Sequence, residues 1–374
     1  MSEDEAKEAP PEPHKRILSI DVLRGWNMWW LIGGADVVRA LAVAVPCGLT
    51  ATLAAQTHHA GNGFNHHDII FPLFLFLAGA SWPFSLAGQV RRGRSRGAIT
   101  LTVLRRFAAL AVLGAILFGL LSLDFAHVRF NSILGRIGFG WMFAALGSLW
   151  LSRRGFRWYA AALFFGYWAA CLVLPHVFGG NDAAAWHGQT FQSIFDTWLG
   201  NRRPDKWGKE GFFQAFGCIS SACLGVFAGE IVADRALSGG RKVVRLLLWA
   251  IGCGAGAAVA FATGCPCVKG LWTPTYLLLA GAISFAELAA LYWIVDVKGC
   301  SRWAFFFKVI GMNAFTIYIL QWAWSFPAFG RKVFGGTAKL MPEAWGLLFL
   351  EASFVLLRWL VLYFLYRRKI FIRV

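Results

Sequence analysis

The chain has 374 residues, 58% of them hydrophobic and only 15% charged, with 19 Trp and 34 Phe. A soluble domain of this length has too little interior to hide that much apolar surface, so lipid must act as solvent for much of the chain. A formal charge of +17 invites a nucleic-acid partner, but the basic residues fall at the ends of apolar segments and not along one soluble face, which excludes that class.

Residues 1–15, MSEDEAKEAPPEPHK, are acidic and Pro-rich with no apolar core. They read as a disordered cytoplasmic tail and not as a cleaved signal. A bilayer core of ~30 Å needs ~20 helical residues, and runs of that length then recur. They cover 18–44, 69–89, 99–122, 132–151, 158–178, 212–233, 246–264, 274–295, 303–327 and 344–366. The expected fold class is all-α: a polytopic helical membrane bundle of about 10 spans (10–11), with one transmembrane domain over 16–374.

Taking the N-terminus as cytoplasmic, the inside loops and tail carry Arg91, Arg92, Arg94 and Arg96, then Arg153, Arg154 and Arg157, then Arg235, Arg241, Lys242 and Arg245. Lys298 and Arg302 follow, and finally Arg367, Arg368, Lys369 and Arg373. These five clusters agree with one orientation, both termini inside. The outside loops 179–211 and 329–339 are basic too, but long outside loops cross despite such charge. Of eight cysteines, six lie in or close to apolar spans as small packing residues, while Cys265 and Cys267 form a CxC in an outside loop with Cys47 near the same face. A periplasmic disulfide is one reading of that group; no spacing resembles a zinc site, and no metal is expected.

The chemistry concentrates between the first and second spans, in THHAGNGFNHHDIIFPLFLFLAG. His58, His59, His66 and His67 fall within ten residues, with Asn62 between them and Asp68 immediately after. Asp68 opens an apolar helix, where a carboxylate caps free N–H groups and favours the positive end of the dipole. The histidines read either as a solvated interfacial loop or, held by a carboxylate, as a general base near neutrality. Two His pairs plus Asp68 also have metal-ligand chemistry, but HHx6HH matches no regular ligand spacing. Asn62-Gly63 is a turn signal that folds the loop back. A second polar group sits where the membrane makes it costly: Asp21 with Arg24, three apart, Arg129 with Arg136, seven apart, and Glu351 with Arg358.

Together these motifs resemble the transmembrane acetyltransferases of the heparan-α-glucosaminide N-acetyltransferase type. The opening S-x-D-x-x-R-G is present at Ser19, Asp21, Arg24 and Gly25, and the signature H-x3-N-G-x4-D at His58, Asn62, Gly63 and Asp68. It continues through Phe71, Pro72, Phe74, Phe76 and Gly79. The later V-R-x3-[IV]-L-x-R runs through Arg129 and Arg136, followed by Glu210-Gly211 and the LGxxAG of Leu224 to Gly229. LWTPTY at 271–276, DVKG at 296–299 and GMNAFTIYI at 311–319 complete the series.

The resemblance implies an acyltransferase of the bacterial inner membrane, multi-pass, that moves an acetyl group from cytoplasmic acetyl-CoA to a glucosamine-type or other glycan acceptor on the periplasmic side. It implies His58 as catalytic histidine with Asp68 and Asn62, and Arg24, Arg129, Arg136 and Asn313 as residues toward acetyl-CoA. Departures fall on the acceptor side. Gly61 replaces the family's Trp before Asn-Gly, and Gly34, Ala35 and Asp36 stand where an asparagine is found late in the first span. Asp36, His59 and Trp272 are therefore expected to face a different acceptor, and His59 competes with His58 for the inward position. The ~20 Å reach of a pantetheine arm is comparable with most of the bilayer core. A homodimer is compatible with this reading. An amino-sugar permease is the alternative; it predicts repeat symmetry between halves and broken helices near the midplane, and the halves show no self-similarity.

Overall fold

The computed structural model describes residues 17–60, 63–121, 132–178, Phe195 and 211–372. The N-terminal tail, Asn62, Arg129, Glu210 and nearly all of the loop 179–211 lie outside the described residues. Among the described residues every regular element is helical. Eight helices are long and apolar enough to cross a membrane, and a ninth crossing follows if one bent pair is counted as a span. The protein is a polytopic helical membrane protein, as its apolar runs require.

The chain enters through α1 (Leu18–Trp29), which passes through a π-helical segment (Trp30–Gly34) into α2 (Ala35–Ala44). The first expected span is thus one kinked element and not a straight helix. Gly33 makes the break: its φ of 105° is open to glycine and strained for other residues. The break frees the carbonyl of Ile32, and Arg358 donates to it from Nη1 at 3.2 Å. After the short α3 (Gly48–Ala55), a 3₁₀ turn (His66–Ile69) leads into α4 (Ile70–Arg91). Then follow α5 (Arg96–Ala115), α6 (Ile133–Trp150), α7 (Arg153–Phe178), α8 (Phe213–Ala233), α9 (Gly239–Ala262) and α10 (Pro274–Leu291). Serines start three of them, Ser95, Ser132 and Ser238 each accepting a backbone N–H of the first turn, a cap worth about 1 kcal/mol.

The run expected as one span at 303–327 is two helices, α11 (Phe305–Met312) and α12 (Ala314–Ala323), bent by 69° at Asn313. The short α13 (Phe326–Ala338) and the long α14 (Glu343–Arg367) complete the bundle.

α4 lies at the centre, packed most extensively against α8 and also against α1 and α6. Glycine makes the α4–α8 approach possible: a Cβ on Gly79 would strike the Ala222 carbonyl, and one on Gly225 the Phe76 carbonyl. Close backbone approach through small residues is the usual device where lipid offers no hydrophobic drive between helices. Around this pair sit three apolar clusters. One joins α1, α4 and α10 through Leu23, Phe76 and Phe285, and one joins α4 to α6 and α8 through Trp82, Trp141 and Val226. The third joins α1 to α11 and α14 through Met28, Val309 and Leu362.

Candidate active site

The loop that reverses the chain before α4 is built around Asp68. Its carboxylate is fully buried (0% exposed) and faces donors on every side. Oδ2 accepts the backbone N–H groups of Ala60 and Asn65, each at 3.1 Å. Oδ1 lies 2.8 Å from His59 Nδ1 and 3.2 Å from the ammonium of Lys269. The contact with Asn65 is the carboxylate half of a cap on the turn that starts α4, so the capping role read from the sequence is present alongside the others. Tyr276 on α10 donates to the Asp68 carbonyl at 2.7 Å and fixes the turn from the opposite side.

His59 Nδ1 has two suitors, since Lys269 Nζ lies 3.0 Å from it. A neutral imidazole has one N–H and one lone pair. With Nδ1 protonated and directed at Asp68, Nε2 keeps its lone pair; with Nδ1 accepting from Lys269, Nε2 carries the proton. His58 faces the other way. Its ring is exposed and lines no part of the cavity described below, while its carbonyl accepts from Asn65 Nδ2 at 3.0 Å. Of the two adjacent histidines, His59 is the one the fold brings to Asp68.

From this point a cavity of about 1000 Å³ runs along α4. One face of that helix, Ile70, Phe71, Phe74, Ala78, Ser81 and Ser85, forms its wall. At 1.5 Å per residue, Ile70 and Ser85 are about 22 Å apart along the axis. His59, His67, Lys269 and Gly270 line one end; Arg24, Ser81, Ser85 and Arg106 line the other. Arg24 donates to Ser81 Oγ at 2.9 Å and pairs with Asp21 at 3.1 Å, as its spacing predicts. Arg106 sits 4.3 Å over the ring of Trp141. Neither serine nor Arg106 is among the residues expected from the sequence, although an arginine within an apolar run is costly enough to mark a candidate site.

The remaining expected residues divide. Arg136 is 4% exposed, lines the cavity, lies 4.8 Å over the Phe71 ring and donates to Gln214 Oε1 at 3.4 Å. Gln214 in turn donates to the Gly270 carbonyl, which ties Arg136 to the end that holds Lys269. Trp272 also lines the cavity, edge-on to Phe71 at 4.8 Å, with a left-handed backbone (φ 53°). Tyr167 holds that strained residue by donating to its carbonyl at 3.1 Å.

Asn313 is buried at the bend between α11 and α12 but is outside the cavity lining; its amide donates to the Ile370 carbonyl at 3.1 Å and holds the C-terminal segment. Asp36 is exposed on α2 and pairs with Arg39, whose guanidinium donates to Thr57 Oγ1 at 3.1 Å. It touches the loop at one remove and not the cavity. Asn62 and Arg129 lie outside the described residues.

All eight cysteines are free, Cys265 buried and Cys267 half-buried. Among the described residues no group of three or more His, Cys, Asp or Glu is arranged to hold a metal ion. Lys269 is a further site residue that sequence reading missed: 210 positions separate it from His59, and only its place just before the LWTPTY motif pointed toward it.

No family model matches the chain. It is similar to human (Homo sapiens) heparan-alpha-glucosaminide N-acetyltransferase, 24% identical over 384 aligned positions that take in 84% of this chain. The chain spans 55% of that relative's length. A distant likeness to an N-acetyltransferase, on a multi-pass helical bundle with a His–Asp pair at the end of a long cavity, is where the comparison and the geometry meet.

Proposed function

We propose that this protein is a transmembrane acetyltransferase that takes the acetyl group of cytoplasmic acetyl-CoA and delivers it to the amine of a glucosamine-type glycan on the opposite face. The observation that carries the reading is the cavity itself. Its length along α4, about 22 Å, matches the reach of a pantetheine arm, with guanidinium groups at one end and a His–carboxylate pair at the other. The Arg24 and Arg106 guanidiniums and the Ser81 and Ser85 hydroxyls have the chemistry of a phosphate site, which the nucleotide of the donor requires. The middle of the cavity, with Phe74, Ala78 and Leu110, is apolar, as a thioester arm requires.

The chain's own residues then divide the work. Asp68 holds the His59 ring through Nδ1 and balances its charge when it is protonated, so Nε2 is the base for the acceptor amine. His59 takes the role that the gap-free motif spacing assigns to His58. Lys269 competes for the same ring nitrogen and sets which tautomer waits in the resting site. Arg136 belongs to the reacting end, fixed over Phe71 next to Trp272. Inverted membrane vesicles test the reading. With glucosamine trapped in the lumen and acetyl-CoA added outside, N-acetylglucosamine should accumulate in the lumen.

One observation favours a second reading, an amino-sugar permease. The elements at Gly33 and Asn313 are both broken within the bundle, a device common in transporters. The same vesicles separate the two, because a permease releases unmodified glucosamine and does so without acetyl-CoA.

A further inference from the structure

Of the four clustered histidines, His67 enters neither the motif resemblance nor the base role of His59, yet it lines the same cavity. Its ring lies 4.7 Å from that of His59, tilted by 52°. Its backbone N–H donates to the Gln56 carbonyl at 2.9 Å, which locks the residue on the 3₁₀ turn beside Asp68. Its Nδ1 is buried with no hydrogen-bond partner, whereas Nε2 is not among the buried unpartnered atoms and the residue lines the cavity. The cavity end therefore holds two imidazoles in different states of engagement: His59 is tied through Nδ1, and His67 has Nε2 as its only accessible nitrogen.

That asymmetry decides the tautomer. A neutral imidazole must leave either an N–H or a lone pair at the buried Nδ1. An unsatisfied buried N–H is rarer and more costly than an unsatisfied acceptor. The proton is accordingly on Nε2, and His67 presents an N–H donor to the cavity next to the lone pair of His59.

From this geometry we infer that His67 is a further catalytic residue, the donor that receives the carbonyl oxygen of the acetyl group while His59 serves as base. The inference rests on the acetyltransferase reading. The acceptor nitrogen attacks the thioester carbon, the C=O π pair moves onto oxygen, and His67 Nε2–H hydrogen-bonds that oxygen. His59 Nε2 takes the proton from nitrogen. The carbonyl re-forms, the C–S bond breaks with its electrons on sulfur, and the sulfur recovers the proton from His59. Amide and free thiol result, and neither histidine is changed. A neutral imidazole suits this task because it donates without bringing a second positive charge beside Lys269.

The test uses full-length protein in vesicles and compares His67→Phe, which keeps a flat ring against His59, with His67→Gln, which restores an N–H donor. His67→Phe should lower kcat by about 10²–10³-fold, the usual loss for one oxyanion donor, with KM for acetyl-CoA nearly unchanged. His67→Gln should recover about tenfold or more of that loss. Retained CoA binding by both variants reports that the bundle is intact. If His67→Phe misfolds, His67→Gln against His67→Ala makes the same comparison. Near wild-type turnover in His67→Phe, or equal loss in donor and non-donor variants, overturns the inference while leaving the acetyltransferase reading in place. Absence of transfer by the wild-type protein overturns both.

Discussion

His59 and Asp68 meet at 2.8 Å although they are nine positions apart, because the chain between them turns back and Asp68 gathers two of that loop's own N–H groups. The carboxylate is buried while the His59 side chain is 60% exposed, so the pair has one fixed member and one that faces the cavity. His59→Ala should therefore remove most of the transfer, about 10²–10⁴-fold for loss of a general base, with donor binding kept. His58→Ala should retain turnover within a few-fold. Asp68→Asn should lower activity without unfolding, since Asn still accepts the two backbone N–H groups but has no charge to balance a protonated ring. The reverse ranking of the two histidine variants in the vesicle assay would return the role to His58.

Legibility in the sequence follows the range of each interaction. Eight of the ten apolar runs hold a helix long and apolar enough to cross a membrane, since length and hydropathy are local properties. The breaks at Gly33 and Asn313 are held by distant partners: Arg358 donates to Ile32 across 326 positions, and Ile370 accepts from Asn313. Asp68 was readable from its place ahead of an apolar helix. Which of His58 and His59 faces it was not, because both sit in a loop with no periodicity to give each residue a face. Lys269 stayed hidden for a related physical reason: its role comes from packing between distant parts of the chain.

The α4–α8 contact predicts a stability effect with a built-in control. Gly225→Ala puts a methyl group against the Phe76 carbonyl, a backbone atom that cannot rotate aside. Overpacking of this kind costs about 1–3 kcal/mol and should lower Tm in detergent by several degrees. Gly240→Ala, on α9 with open space around it, should leave Tm unchanged or raise it slightly. Equal Tm values for both variants would mean that α4 and α8 are not packed this closely.

Two native thiols test the orientation expected from the basic clusters. Cys47 and Cys300 are both exposed, one before α3 and the other in the loop after α10. With both termini in the cytoplasm, an impermeant maleimide applied to intact cells should label Cys47, and Cys300 only after the membrane is opened. Cys47→Ser should abolish the first signal. Labelling of Cys300 in intact cells would invert the bundle and move the His59 end to the cytoplasmic face.

The Arg24–Arg106 end of the cavity makes the last prediction. Arg106 lies over Trp141 close to Arg24, and among the described residues no carboxylate pairs with it. Two guanidiniums held near each other inside a membrane repel even with Asp21 beside Arg24, so the arrangement is most favourable with an anion between them. A nucleotide phosphate has that charge and accepts the fork of donors a guanidinium presents. Arg106→Gln keeps a donor but removes the charge. It should raise KM for acetyl-CoA by about tenfold or more, the value of one charge-assisted hydrogen bond, with kcat nearly constant, because the group is at the far end of α4 from the His59 ring. Short thioesters such as S-acetylpantetheine, which have no nucleotide, should be used equally well by wild-type protein and Arg106→Gln. A variant that loses kcat on both donors, with KM unchanged, would show Arg106 to be a packing residue and place the nucleotide elsewhere.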